Sequence, residues 1–356
     1  MKNIAIIGAG PAGLIAAETL AQAGAAVTVF DRMASPSRKL LIAGRGGLNL
    51  THSEPLEALL ERYGPARAAL EPAIRAFPPS ALIEWCEGLG QETFTGSSGR
   101  VFPRAMKASP LLRAWLARLG GLGVTLRARH RWMGWDGDAL RFEASEGATR
   151  FEADATVLAL GGASWPRLGS DGAWTSWLDD VAPLRPANMG FLVDWSPHFR
   201  ERFAGQPLKR IALSFEGRTL RGEAMVTASG IEGGAVYALA APLREALSRD
   251  GTAVLHLDLR PDLDAAALAA RLSGRGLSLS NQLRKVGLSP AAIGLVQEAR
   301  HGGDATPPEL LVKSLPLRLT AAQGLERAIS SAGGLRFGAI DARFMLRARP
   351  GTFAAG

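Results

Sequence analysis

The sequence predicts an α/β protein, a discontinuous Rossmann-type dinucleotide-binding domain interrupted by an inserted antiparallel β domain with a helical part. Three observations carry this. A complete strand, glycine turn, helix and second strand fill residues 1–32; the texture changes at Asn188 to short alternating segments; and the first texture returns at Thr320. The expected boundaries are 1–187 with 320–356 for the nucleotide-binding domain, 188–263 for the β part of the insert and 264–319 for its helical part.

Ile4 to Ile7 is an apolar run that reads as a buried parallel strand, and Gly8 permits the tight turn out of it. Gly10 has no side chain to keep a pyrophosphate off the backbone. Pro11 and Ala12 then open a helix that aims its free N–H groups and positive dipole end at phosphates, and Gly13 lets that helix pack closely on the sheet. Leu14, Ala17, Leu20 and Ala21 supply the buried stripe, Gly24 is a natural stop, and Ala26 to Phe30 form the second strand. Asp31, eighteen residues after Gly13, closes that strand where a carboxylate can accept both hydroxyls of an adenosine ribose, with Arg32 directly after it.

Ser35 to His52 reads as a loop dense in glycine and basic residues. Gly44, Gly46 and Gly47 leave N–H groups free to face an anion or a planar ring, and Arg38, Lys39 and Arg45 add positive charge. Helical periodicity runs from Leu56 to Glu92, broken at Gly64-Pro65 and Pro78-Pro79; Ser98 to Pro103 is extended, and Ala108 to Leu119 is a helix. Val124–Arg129, Trp132–Trp135, Leu140–Ala144 and Arg150–Glu152 are expected strands with hairpin turns between them. Asp154 to Leu160 is a further buried strand opening into the turn Gly161-Gly162, where backbone at the sheet's carboxyl edge can pass near a nucleotide; Gly169 to Gly172 reads as the capped start of a helix. After Asn188, Gly190–Trp195, Ile211–Phe215 and Ala253–Leu259 alternate as in an antiparallel barrel or sandwich, Asp264 to Glu298 turns helical, and Thr352 to Gly356 reads as one more core strand.

At 356 residues and 47% apolar composition the chain is long for one compact core and suits a large domain with an insertion. No apolar stretch approaches the ~20 residues that span a bilayer, and glycines interrupt the N-terminal run too early for a signal peptide. A cytoplasmic, reducing location is expected. The single cysteine, Cys86, excludes an internal disulfide and any cysteine-based metal cluster, and reads as a small buried apolar side chain. The five histidines share no metal-ligand spacing; His52, beside the glycine loop, is the one with a candidate role. The formal net charge of +8 comes from scattered arginines interleaved with acids, the pattern of a solvated surface rather than of a nucleic-acid site.

With these residues in place, the sequence resembles the BaiN/RdsA (YhiN-like) family of bacterial FAD-dependent oxidoreductases, relatives of aminoacetone oxidase. The motifs are Arg38-Lys39-Leu-Leu-Ile-Ala-Gly44-Arg-Gly46-Gly47-Leu-Asn49-Leu-Thr51, Gly99-Arg-Val-Phe-Pro103 with Lys107-Ala108, Leu160-Gly161-Gly162-Ala-Ser-Trp-Pro166, and Gly230-Ile-Glu-Gly-Gly-Ala235. The resemblance covers essentially the whole chain and implies a discontinuous FAD domain with an inserted β-barrel and small helical domain. It places Gly8, Gly10 and Gly13 at the pyrophosphate, Asp31 at the ribose, Lys39, Gly46, Gly47 and Asn49 on the flavin side, and Gly161 and Gly162 along the cofactor. Two departures stand out. Gly47-Leu48 replaces the family's Arg-Cys and His52 its final Asn, so no role of that cysteine or arginine transfers. The family's acidic residue and glycine-rich helix start that follow the last strand and approach the ribityl chain and ring are not part of this sequence, so reduced FAD retention is expected.

The expected activity is hydride transfer between FAD and a small organic substrate, with NAD(P)H as a candidate transient donor. The cofactor carries the chemistry and the protein supplies binding, orientation and electrostatics, Lys39 and Arg45 among the candidates. Trp165 is a candidate ring cover and, equally, a core aromatic. Two alternatives belong beside this reading: an NAD(P)-dependent dehydrogenase without flavin, which Arg32 keeps open, and a basic flavin-bearing RNA-modifying or RNA-binding protein, supported by charge alone. Partners follow accordingly: a small-molecule substrate and no membrane, with nucleic acid disfavoured and the oligomeric state open.

Overall fold

The structure, a computed structural model, describes residues 1–272 and 277–356. Residues 273–276, inside the stretch read as helical, lie outside the described residues. The chain divides into two units, 1–183 with 333–356, and 184–332.

The first unit is built on five parallel strands in the order Thr352–Ala354, Ala155–Leu158, Asn3–Ile7, Ala26–Asp31, Thr125–Ala128. Side chains alternate between two covered faces, as the period of a strand demands. Ile4, Ile6, Val27 and Val29 pack with Leu14 and Ala17 of helix Pro11–Gln22 and with Leu111 and Trp115 of helix Ala108–Gly121. Ala5, Ile7, Phe30 and Leu158 pack with Trp132, Leu140 and Phe142 of an antiparallel sheet of Arg131–Asp136, Ala139–Ala144 and Gly147–Phe151. Phe30 and Phe142 stack with ring centroids 4.1 Å apart.

Helix Pro11–Gln22 departs from its expected pattern in one buried position. Glu18, only 3% exposed, accepts the indole N–H of Trp85 at 3.0 Å and of Trp115 at 2.7 Å, and pairs with Arg118 at 2.9 Å. An acid in a buried stripe is tolerated because each of its oxygens is matched by a donor.

The expected basic loop is largely helical. Ser37 takes a left-handed φ of 53°, its N–H and its hydroxyl both donate to the Ala9 carbonyl at 2.9 Å, and a helix then runs over Arg38–Ala43 into a 3₁₀ turn at Gly44–Gly46. The N–H groups of Gly44 and Gly47 are spent on the carbonyls of Leu40 and Gly44, so they do not face a ligand. Gly44 is required by packing instead, since a Cβ there would lie 2.6 Å from Ala108. The expected helix after Gly172 is likewise a short 3₁₀ turn, Ala173–Trp177.

In the second unit seven antiparallel strands follow the order Leu315–Leu319, Ala253–Asp258, Pro207–Phe215, Arg218–Thr227, Gly230–Glu232, Phe191–Leu192, Ala321–Ala322. The two outermost strands are joined by Thr320 alone, so the sheet is rolled on itself as a barrel. Leu315–Leu319, inside the stretch read as helical, is a strand because Leu315, Leu317 and Leu319 are buried while Pro316 and Arg318 face out. Helices Ala240–Asp250, Ala265–Leu272 and Pro290–His301 contribute Leu243, Leu268, Leu295 and Val296 to the core that Phe191, Leu213, Val226 and Leu255 form from the strands. Among the described residues no helix is long and apolar enough to cross a membrane, and no group of three or more His, Cys, Asp or Glu could hold a metal ion.

Candidate dinucleotide-binding site

The site begins at the first strand's carboxyl end. Gly8 turns at φ 107°, where a Cβ would stand 2.2 Å from the Ala159 carbonyl oxygen, and its N–H donates to Phe30 O at 2.7 Å. Gly13 is equally constrained, because its Cβ would fall 1.8 Å from the Gly8 carbonyl oxygen. Gly10, between them, is different. A Cβ there meets nothing within 4 Å, so its missing side chain leaves open space rather than room for the fold. The helix that follows has Pro11 at its start, no side-chain cap and no acid in its first turn, which leaves the N–H groups of Ala12 and Gly13 and the positive dipole end to an outside anion.

Asp31 stands at one side of this turn. Its Oδ2 accepts the Ala9 N–H at 2.8 Å and its Oδ1 the Met33 N–H at 2.7 Å, so each oxygen is oriented and keeps a lone pair for a further donor. Burial raises the Asp31 pKa, opposed by those two N–H groups and by Arg32 and Arg38. Gly8, Asp31 and Arg32 line one cleft together with His130, Asp171 and Trp174. Arg32 Nη1 donates to Asp171 Oδ2 at 2.5 Å. Burial pushes the Asp171 carboxyl up, but the Arg32 bond and the Ala173 N–H outweigh it and hold it below its ordinary value.

The turn Gly161-Gly162 does not itself line this cleft, but it follows Leu160, which does, and is held by two other cleft-lining residues that sequence reasoning missed. Ser170 Oγ donates to the carbonyls of Leu160 and Gly162, and Trp174 Nε1 to that of Gly161 at 2.9 Å. Gly161, at φ 69°, has Ser170 Oγ 2.7 Å from where its Cβ would be. The available signal was the glycine pair Gly169 and Gly172, which marks a constrained segment without saying what it approaches.

The basic helix divides. Arg38 acts electrostatically on Asp31. Lys39 is half-buried with Nζ 3.5 Å from Ser164 Oγ, burial lowers its pKa, and among the described residues no carboxylate lies within ion-pair distance of it. Arg45, Gly46 and Asn49 are exposed, Gly46 having nothing within 4 Å of a would-be Cβ, and Asn49 lines a separate cleft with His52, Arg62 and Arg100 rather than the Asp31 cleft. Gly47 is buried against Met106. His52 is held structurally: its Nδ1 accepts the Glu54 N–H at 3.1 Å, which leaves Nε2 to donate to Ser98 O at 3.0 Å. Trp165 is half-buried at φ 51° with Arg167 5.2 Å over its ring. Cys86 is fully buried, and burial, with Glu87, pushes its thiol up to about 11.

A parallel sheet, a glycine turn feeding an uncapped helix and an oriented carboxylate define a dinucleotide-binding protein of the Rossmann class. The chain belongs to the HI0933-like protein Rossmann domain family, whose model matches residues 2–356, in agreement with the family resemblance of its motifs. It is 27% identical over 277 residues to the 3-dehydro-bile acid delta(4,6)-reductase of Clostridium scindens, covering 75% of this chain and 66% of that protein. It is 26% identical over 243 residues to the ribosomal RNA dihydrouridine synthase of Haemophilus influenzae, covering 66% of this chain and 60% of that one. The chain thus spans less than two thirds of the length of each of these curated relatives. Among solved structures, the open conformation of a flavocytochrome c3 fumarate reductase superposes with a TM-score of 0.50 at 15% identity, covering 100% of this chain and 72% of that one, a likeness of fold.

Proposed function

We propose that this chain binds FAD and acts as a flavin-dependent oxidoreductase, moving a hydride between the cofactor and a small organic substrate with NAD(P)H as electron donor. The observation that carries the reading is the open face of Gly10 at an uncapped helix start beside the oriented Asp31 carboxylate. The similarity to a reductase supports a redox role. FAD supplies hydride chemistry when bound. The chain's residues bind and orient it: Ala12 and Gly13 offer N–H groups to phosphate oxygens, Asp31 takes the ribose hydroxyls, and Leu160, whose carbonyl Ser170 holds, lines the same cleft with Ser170 and Trp174. Lys39 brings an ammonium without a carboxylate partner among the described residues, which favours negative charge beside it.

The test is the visible absorption spectrum and flavin content of the purified protein, followed by anaerobic addition of NADH and of NADPH. Bound FAD that bleaches with one of the two is expected. A colourless protein that binds NADH but takes up no FAD would overturn the reading in favour of a nicotinamide dehydrogenase.

A further inference from the structure

Arg32 directly follows the ribose-facing Asp31, a position from which an arginine accommodates the 2′-phosphate in sites that take the phosphorylated dinucleotide. In this chain that guanidinium is already held. Nη1 donates to Asp171 Oδ2 at 2.5 Å, both side chains are 33% exposed, and both line the cleft with Asp31. Asp171 is itself pinned. Its Oδ1 accepts the Ala173 N–H at 3.1 Å, and it sits between Gly169 and Gly172 at φ 112° and 75°. Ser170 and Trp174 tie this segment to the carbonyls of Leu160 and Gly161 at 3.1 and 2.9 Å, and a Cβ at Gly169 would stand 2.5 Å from Met33. The carboxylate therefore cannot follow Arg32 if the guanidinium swings toward a ligand.

We propose that Asp171 sets the adenosine specificity of this site, rejecting a ribose 2′-phosphate by occupying Arg32 and by adding its own negative charge. Asp171 acts through Arg32 and is a positioning residue. A 2′-phosphate entering here meets two carboxylates, Asp31 and Asp171, and gains Arg32 only by leaving Asp171 unpaired in the cleft. Arg131, which lines the same cleft, is drawn to Glu143 at 3.8 Å. Loss of the charge at Asp171 leaves Arg32 free for the phosphate. The inference rests on the reading that this cleft holds the adenosine half of FAD, and it adds which adenosine nucleotides the cleft refuses.

The test compares two probes that differ only at the 2′ position, AMP and adenosine 2′,5′-bisphosphate, titrated calorimetrically into the full chain freed of flavin. The unmutated protein is expected to bind AMP at least about tenfold more tightly. Asp171→Asn is expected to shrink that preference by about tenfold through tighter bisphosphate binding, with AMP affinity changed by less than about threefold. Adding Arg32→Ala to that variant takes the gain away. Should Asp171→Asn not fold, Arg32→Ala alone decides: a selective loss of bisphosphate affinity of about tenfold or more means that Arg32 grips the phosphate in the unmutated protein and overturns the proposal, whereas a ratio changed by less than that supports it. An unmutated protein that prefers the bisphosphate, or an Asp171→Asn variant with an unchanged ratio, overturns this inference alone if FAD still binds. A chain that binds neither FAD nor AMP overturns the flavin reading with it.

Discussion

Gly10 and Gly13, three residues apart, lack a side chain for opposite reasons. A methyl group at Gly13 collides with the Gly8 carbonyl at 1.8 Å, so Gly13→Ala is expected to disrupt the fold; Gly10 has ordinary extended backbone at φ −79° and nothing within 4 Å. Gly10→Ala is therefore expected to melt within a degree or two of the unmutated apoprotein while losing FAD affinity by about tenfold or more. Thermal melts with parallel FAD titrations check this, and an affinity unchanged by Gly10→Ala would remove the pyrophosphate from that face. Asp31 gives a pH prediction whose sign is fixed by its burial. A folded-state pKa raised above the ordinary 3.8 means that protonation favours the folded chain, so the contribution is full below the unfolded value and is lost as pH rises through the folded one. The melting temperature of the flavin-free protein minus that of Asp31→Asn should therefore grow as the pH is lowered from neutral toward 4. A difference that shrinks over that range would show that its two N–H partners, not burial, dominate Asp31. Gly8 and Gly13 were legible because close backbone approach dictates them, and Gly10 and Asp31 because they stand at fixed spacings from that pair. Asp171 was not, since its partner Arg32 is 139 positions away.

The helix Pro11–Gln22 is anchored by a polar contact its apolar pattern does not announce. Glu18 holds two tryptophan N–H groups and Arg118 from helices Pro79–Gly88 and Ala108–Gly121. Glu18→Ala leaves both indole donors unmatched while Arg118 keeps the Gly88 carbonyl, and is expected to lower stability by about 2–4 kcal/mol in urea denaturation, with Glu18→Gln falling between. A loss below ~1 kcal/mol would mean that water replaces the carboxylate at no cost. At this scale the sequence was read best where one periodicity runs unbroken, as in Asn3–Ile7, Ala108–Gly121 and the hairpins from Arg131 to Phe151. It was read worst where glycine composition hid a helix. Arg38–Ala43 is nucleated by a left-handed Ser37 clasping Ala9, 28 residues earlier, a tertiary contact that local propensity cannot reveal. Leu315–Leu319 shows a second kind of miss, for its two-residue alternation is too short to stand out after the helices that precede it.

Across the whole molecule the +8 charge is dispersed rather than concentrated. Many of its cations face acids, among them Arg62 with Glu54, Arg67 with Glu57 and Glu71, Arg221 with Asp262, and Lys313 with Asp258. RNA binding is accordingly expected to be weak, with a slope of log affinity against log salt shallower than about −3 in filter binding; a steeper slope would point to a basic surface assembled from residues far apart in sequence. The glycine turn, its helix and the Asp31 carboxylate were legible from one contiguous stretch. The rest of it draws on 160–174, and the substrate's surroundings depend on side chains whose convergence no linear pattern encodes. The clasp at Ser37 has a consequence for how the site behaves over time. One serine hydroxyl and one amide share the carbonyl that sits between Gly8 and Gly10, so the glycine turn and the lysine-bearing helix are mechanically one body. Slow amide exchange should therefore begin and end together in these two stretches, and whatever ligand quiets the first must quiet the second.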